Sequence, residues 1–301
     1  MSGLTERVRD WERGGRLVEH GGWRIFVRVQ EGSGTPLLFL HGYPSSSYDW
    51  RSVLDRLPGR PAVCFDFLGF GLSEKPRKHV YSLQGQADLA EGVACAHLLD
   101  GPVVLVAHDM GTSVATELLA RDLEGRLGFE LAAVLLLNGS MVIERASLTL
   151  AQRALRSRLG PLVARLSNER SFRAQFARLF SCEHPLTREE AADQWALLAH
   201  NGGQRIIDRL TYYLHERVSF APRWHGALRD WPGRLELAWA GGDPVCTEAV
   251  LEAVLELRGH APLTRLATLG HYPQLEQPDT IAEIVAGVIE HAPGSTARWG
   301  S

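Results

Sequence analysis

Short apolar runs alternate with longer amphipathic stretches along most of this chain, and the alternation predicts strands followed by helices. Residues 16–20 and 23–29 flank Gly21-Gly22 and predict a β-hairpin, because two glycines accept the positive φ angles of a two-residue turn. Apolar runs at 36–40, 62–67, 103–107, 132–137, 235–240 and 263–269 have the length of buried strands. Between them, 47–57, 82–99, 111–121, 248–257 and 280–291 read as helices. In 82–99 the helical spacing is carried by Ala87, Leu89, Val93, Ala96 and Leu99, and in 47–57 Asp49 and Arg51 are expected on the polar face. Continuous apolar strands separated by helices imply an α/β fold with a mostly parallel sheet covered on both faces. The rhythm breaks from Met141 to about His225, where Arg, Ala and Leu recur at helical spacing with interruptions at Pro161, Pro185 and Gly202-Gly203. The chain is therefore divided into a core domain, residues 1–139 and 226–301, and an inserted helical cap, residues 140–225. The small, polar tail after Pro293 is expected to fray.

Composition narrows the class. A length of 301 residues suits one main domain with an insertion. A net charge of -3 with no long basic run argues against nucleic acid or a membrane as the main partner. Cys64, Cys95, Cys182 and Cys246 are scattered, without zinc spacing, and read as reduced thiols. The charged N-terminus lacks a signal-like apolar region and no apolar run is long enough to span a bilayer, so a cytoplasmic location is expected.

The run Val103-Val104-Leu105-Val106-Ala107 leads into His108-Asp109-Met110-Gly111 and then a helix. Strand, sharp turn and helix form a nucleophile elbow, whose central residue is strained and whose neighbours two positions away must be small. Asp109 is that residue, with Ala107 and Gly111 beside it. A helix N-terminus favours a carboxylate there, although an aspartate in this place can also be a simple N-cap. Ser113 lies a turn inside the helix and is out of register for a serine nucleophile.

Partners decide between the two readings of Asp109. Two later strands end in Gly241-Gly242-Asp243-Pro244 and Gly270-His271-Tyr272-Pro273. In this architecture the acid and then the histidine follow the nucleophile at strand ends. Asp243 is expected to orient His271 and stabilise its cation. His41-Gly42-Tyr43-Pro44 follows another predicted strand, so the backbone N–H groups of Tyr43 and Met110 are the expected oxyanion hole.

His108-Asp109-x-Gly111 after a buried strand resembles the epoxide hydrolase and haloalkane dehalogenase branch of the α/β-hydrolases. The segments HGYPSSSYDW (41–50), DFLGFGLSEKP (66–76), HNGGQRIIDRL (200–210), RWHGAL (223–228) and GHYPQLEQP (270–278) resemble the mesoderm-specific transcript group and its bacterial relatives. The resemblance spans nearly the whole chain and implies an α/β-hydrolase core, a helical cap and an aspartate nucleophile.

An aspartate attacking an electrophilic carbon leaves an ester that water can cleave, whereas a serine would leave an inert ether. His271 would activate that water. The scheme serves epoxides and alkyl halides alike, and the leaving-group donors distinguish them. Dehalogenases of this branch typically carry Trp directly after the nucleophile, where this chain has Met110, and often Asn or a cap Trp as well; Tyr43 follows the HG pair here. Fluoroacetate dehalogenases have arginines just after the nucleophile, and 110–114 has none. Epoxide hydrolases usually use two cap tyrosines. Leu210-Thr211-Tyr212-Tyr213 resembles the segment carrying one, with Tyr213 in register, while no tyrosine lies between Met141 and Thr211 to supply the other. His200, His184 and Trp195 are candidate substitutes, and Trp195, Tyr212, Tyr213 and His200 are the expected substrate-binding residues. An epoxide-hydrolase-like enzyme is the leading expectation. Haloalkane dehalogenase, ester or lactone hydrolase, and a non-catalytic small-molecule binder with a retained pocket are the alternatives. The expected partners are water and a small hydrophobic organic substrate, an epoxide or related electrophile; no metal or cofactor is required, and a homodimer is left open.

Overall fold

A computed structural model describes residues 3–98, 101–147 and 149–292. Among them, eight strands form one sheet: β1 (Arg16–His20), β2 (Trp23–Gln30), β3 (Leu37–Leu40), β4 (Ala62–Phe65), β5 (Val103–His108), β6 (Leu131–Leu137), β7 (Arg234–Ala240) and β8 (Leu263–Leu266). Their order across the sheet is β1-β2-β4-β3-β5-β6-β7-β8. β2 pairs antiparallel with β1 and β4, and every other pair is parallel. The helices that matter below are α1 (Glu6–Arg13), α2 (Leu83–His97), α3 (Met110–Leu123), α4 (Arg188–Ala199), α5 (Tyr213–Ser219), α6 (Ala221–Asp230), α7 (Glu248–Arg258) and α8 (Pro278–His291).

The continuous apolar runs are explained by helices on both faces. Successive strand side chains point to opposite sides. In β5, Val103, Leu105 and Ala107 join the apolar cluster beneath α2, α3, α6 and α7. Val104 and Val106 join the opposite cluster, with Val8 and Trp11 of α1 and Ile281, Val285 and Val288 of α8. Each buried Val or Leu is worth about 1.5–3 kcal/mol of transfer free energy, so both faces must be covered for the strand to be stable.

Several boundaries differ from expectation for local reasons. The 263–269 run ends as a strand at Leu266, where Leu269 N–H donates to Leu266 O and closes a turn. Residues 47–57 split into a 3₁₀ turn, Ser47–Trp50, and a short helix, Arg51–Leu54. Asp49 is buried there, not on a polar face. Gln194 Nε2 of α4 donates to its carboxylate at 2.7 Å, and burial raises its pKa to about 7. The covering helix lies 145 residues away in sequence, so no local pattern could reveal it. α1 was not anticipated either, since only Val8 and Trp11 are apolar and buried on it; the Thr5 hydroxyl caps it by accepting from Val8 N–H at 3.2 Å. Leu99 and the tail after Pro293 lie outside the described residues.

From Ile143 to Asp230, between β6 and β7, every described element is a helix. The expected boundary at 225/226 falls inside α6, which packs on α3 and carries Trp224 and Leu228 into the core. No helix among the described residues is long and apolar enough to cross a membrane.

Candidate active site

Asp109 occupies the single residue between β5 and α3, with φ 45° and ψ -110°. Positive φ at a non-glycine residue costs roughly 1–3 kcal/mol and persists only where surroundings enforce it. The enforcement is close packing. A Cβ on Gly111 would lie 2.7 Å from His41 O, and one on Gly42 would lie 2.8 Å from the Asp109 Cβ. Only glycine lets α3 and the 41–44 loop approach this closely. The Asp109 side chain makes no capping bond to α3, contrary to the simple N-cap reading. Its Oδ2 instead accepts the Tyr43 backbone N–H at 2.9 Å, and Asp109 as a whole is 3% exposed. Met110, whose N–H is the other expected oxyanion donor, is the first residue of α3 and is buried. Ser113 lies inside α3, as its register predicts.

His271 Nδ1 is 2.7 Å from Asp243 Oδ2. The ionised carboxylate can only accept, so Nδ1 carries the proton and Nε2 is left as the basic nitrogen. Burial alone would lower the His271 pKa; the charge and hydrogen bond of Asp243, together with the charge of Asp109, outweigh it and raise the pKa above 6.5. Burial would likewise raise Asp243, but the His271 cation and backbone donors hold it below 3.8. Those donors are Val245 N–H at 2.7 Å and Cys246 N–H at 3.0 Å, both to Oδ1, while Asn138 Nδ2 donates to Oδ2 at 2.8 Å.

The backbone of His271 is fixed as well. Its N–H donates to Leu179 O at 2.7 Å, and its carbonyl accepts from His108 Nε2 at 2.6 Å. His108 Nδ1 in turn accepts from Gln274 Nε2 at 3.1 Å, and burial lowers the His108 pKa to about 4, keeping it neutral. Asn138, His108 and Gln274 were not singled out as positioning groups. Their roles arise from contacts more than 100 residues apart in sequence.

Of the expected substrate-binding residues, Tyr213 lies close enough to Asp109 for the carboxylate charge to raise its pKa. It is buried, its ring centroid is 5.5 Å from that of Tyr43, and its Oη accepts from Gln152 Nε2 at 3.1 Å. Trp195 is buried in the same apolar cluster as Tyr43, Met110 and Tyr213, against Phe172. Tyr212 is directed elsewhere: it is 40% exposed and lines an outer cavity with His79, Val80 and Arg156. Neighbouring helical residues project about 100° apart, so two consecutive tyrosines cannot both face Asp109. His200 lines a different cavity, beside Arg16, Leu17 and Phe26, and His184 is engaged by Gln277 Nε2.

One residue absent from the expected set also lies against Asp109. Arg217 is 1% exposed; its Nε donates to Ser113 Oγ at 2.8 Å and its Nη2 to the Asp109 carbonyl at 3.2 Å. Nη2 is 3.7 Å from Asp109 Oδ1, and the guanidinium carbon lies 4.7 Å from the centre of the Tyr213 ring. A signal existed in the sequence: Arg217 follows Tyr213 by four positions, which puts both on one helix face.

The sequence profile of the alpha/beta hydrolase family matches residues 37–284. LipZ of Mycobacterium tuberculosis, named as a hydrolase, is 52% identical over 282 residues, covering 94% of this chain and 98% of LipZ. The mesoderm-specific transcript protein of Mus musculus is 34% identical over 290 residues, 91% of this chain and 85% of its own. The haloalkane dehalogenase DatA of Agrobacterium tumefaciens superposes with a TM-score of 0.74 over 91% of this chain and 95% of DatA, and at 22% identity this likeness speaks for the fold alone.

Proposed function

The chain belongs to the alpha/beta hydrolase family, and from that premise we propose that it hydrolyses a small electrophilic organic substrate through an ester on Asp109, with epoxide opening the reaction its polar groups suit best. The helices between β6 and β7 act in this reading as a cap over the nucleophile.

One observation carries the proposal: the Tyr43 N–H bonds to Oδ2 of Asp109 itself. A serine hydrolase directs such a donor at a substrate oxygen. In an aspartyl-ester route the oxyanion forms on the nucleophile's own second oxygen, so a donor on Oδ2 is already in position. Oδ1 is then the attacking atom. It forms a bond to an epoxide carbon, the C–O bond breaks, and its electron pair stays on the ring oxygen, which takes the Tyr213 phenol proton. In the second step His271 Nε2 accepts a proton from water, and the resulting hydroxide attacks Cγ of Asp109. Negative charge collects on Oδ2, which already accepts the Tyr43 N–H, and the Met110 N–H is the second donor expected to turn to it, each such donor being worth roughly 2.7–4 kcal/mol. Collapse expels the diol oxygen, which takes the proton from the imidazolium, and Asp243 stabilises that cation in the interval. Asp109 is left as the carboxylic acid; it gives up its proton and the Tyr213 phenolate takes one, by exchange through water, which restores the starting state.

The test is His271→Gln incubated with styrene oxide. Intact mass is expected to rise by the whole epoxide, since a ring opening expels no fragment, with the modification on the peptide containing Asp109. An unmodified protein, or an adduct elsewhere, removes the proposal.

A further inference from the structure

We infer that Arg217 is the second leaving-group residue of the site, acting with Tyr213 to receive the negative charge that alkylation of Asp109 releases. The inference rests on the aspartyl-ester reading above and supplies the partner that a lone cap tyrosine lacks.

Charge balance around Arg217 depends on Asp109. Arg217 is almost wholly buried, and its two hydrogen-bond partners, Ser113 Oγ and the Asp109 carbonyl, are uncharged. Among the described residues, the anionic group within ion-pair range of it is the Asp109 carboxylate, at 3.7 Å from Oδ1. Alkylation turns that carboxylate into a neutral ester. The guanidinium would then be left buried without a counter-charge, a state of high energy. The same step puts an electron pair on the departing oxygen, formed beside Oδ1. A cation held next to Oδ1 therefore exchanges one anionic partner for another, and it stabilises the state in which the charge has moved. A guanidinium keeps its protons in proteins, so it donates hydrogen bonds to the leaving oxygen while Tyr213 supplies the proton.

The Tyr213 proton is placed for that transfer. Gln152 Nε2 donates to Tyr213 Oη, which fills an acceptor position and leaves the phenolic hydrogen free to be donated. Burial and the Asp109 charge raise the Tyr213 pKa, while the Arg217 cation and the Gln152 bond work in the opposite direction. When alkylation neutralises Asp109, its upward push is lost and the pull of Arg217 remains. The phenol thus becomes a stronger acid as the leaving alkoxide appears. The arrangement has a geometric source: Tyr213 and Arg217 are four residues apart on α5, and the guanidinium lies over the Tyr213 ring.

The experiment measures alkylation alone, in the His271→Gln protein, where the ester accumulates. Arg217→Met and Arg217→Lys are compared using styrene oxide and (2-bromoethyl)benzene, which share a phenylethyl skeleton but release an alkoxide and a bromide. Arg217→Met is expected to slow alkylation by the epoxide about 10²–10³-fold, with a clearly smaller loss for the bromide, whose weakly basic leaving group needs less stabilisation. Arg217→Lys is expected to recover part of the epoxide rate. Equal losses on both electrophiles would mean that Arg217 only holds Asp109 or the cap in place, and an unchanged epoxide rate would mean that it does nothing in the step; either overturns the inference and leaves the aspartyl ester standing. No adduct in the parent His271→Gln protein overturns the ester reading as well. Should Arg217→Met fail to fold, Ser113→Ala, which removes one anchor of the guanidinium, is expected to show the same preferential loss on the epoxide, and an equal loss on both electrophiles counts against the inference in the same way.

Discussion

On the sheet side of the candidate site, the polar groups are held by several donors from short, rigid turns, whereas on the side of the helices between β6 and β7 they are held by one or two side chains on short helices. Asp243 accepts from Val245 N–H, Cys246 N–H, Asn138 Nδ2 and His271 Nδ1. Tyr213, by contrast, is anchored at its hydroxyl by Gln152, which sits on a seven-residue helix, Leu150–Arg156, whose Leu150 is 74% exposed. The difference is physical. Backbone donors at strand ends are fixed by the sheet ladder and lose little entropy when they bind, while side-chain anchors on thinly packed helices can open locally. Under the proposed aspartyl-ester route, the ester-forming and ester-cleaving groups would thus belong to the core, and the leaving-group donors to the helices between β6 and β7.

Replacing Asp109 cuts deepest on the sheet side. Asp109→Asn is expected to lower turnover by roughly 10⁴-fold or more, because an amide is a poor nucleophile, with the melting temperature little changed; full activity in freshly purified, mass-verified protein would break the comparison at its root. On the cap side, Tyr213→Phe is expected to slow epoxide alkylation about 10²-fold while hydrolysis of a preformed ester keeps its rate. A matching loss in both steps would show that the two sides are not separable.

Acidity offers a milder way to separate them. His271 accepts a proton only when neutral, and Asp243 holds its pKa above that of an ordinary imidazole, so ester hydrolysis is expected to fall about tenfold per pH unit once the solution is more acidic than that pKa. Alkylation needs no free base on His271 and is expected to hold, so the ester should accumulate in the unmodified enzyme at low pH, as rapid-quench mass spectrometry would reveal. A flat hydrolysis rate down to pH 5 would remove His271 from the step.

The smallest expected effect lies where the cap meets the core. Glu216 of α5 accepts the Leu83 N–H at 2.5 Å, and burial raises its pKa to about 7. A carboxyl whose folded pKa exceeds its unfolded value stabilises the fold while protonated, and that stabilisation is lost as pH rises from the ordinary carboxylate range through about 7. Thermal stability should therefore decline between pH 5 and 8, and Glu216→Gln should flatten the decline. An identical slope in the variant would show that Glu216 does not titrate there.

What was legible in the sequence follows the same division. The run from Val103 through Asp109 to Gly111 is local, and strand, turn and helix each leave a periodicity, so the elbow could be read directly. Asp243 and His271 were recoverable because each follows a recognisable apolar run, although β7 stops at Ala240 and β8 already at Leu266, so both residues sit in the turns beyond their strands. Arg217 was one arginine among many in the helical segment and reads as solvated until a structure brings it against Asp109. Tyr212 and Tyr213 are indistinguishable by type, and the rotation of one helix decides between them. Asp49 looked polar and exposed because the helix that covers it lies far along the chain.

A single turnover in H₂¹⁸O tests the central claim most directly, with enzyme in excess over styrene oxide and analysis of both the diol and the Asp109 peptide. If water attacks the Asp109 ester at Cγ, the first diol carries an unlabelled oxygen from the enzyme and the ¹⁸O is found in the Asp109 carboxylate. Label in the first diol with an unlabelled Asp109 would mean that water attacks the substrate itself, and the aspartyl ester would be ruled out.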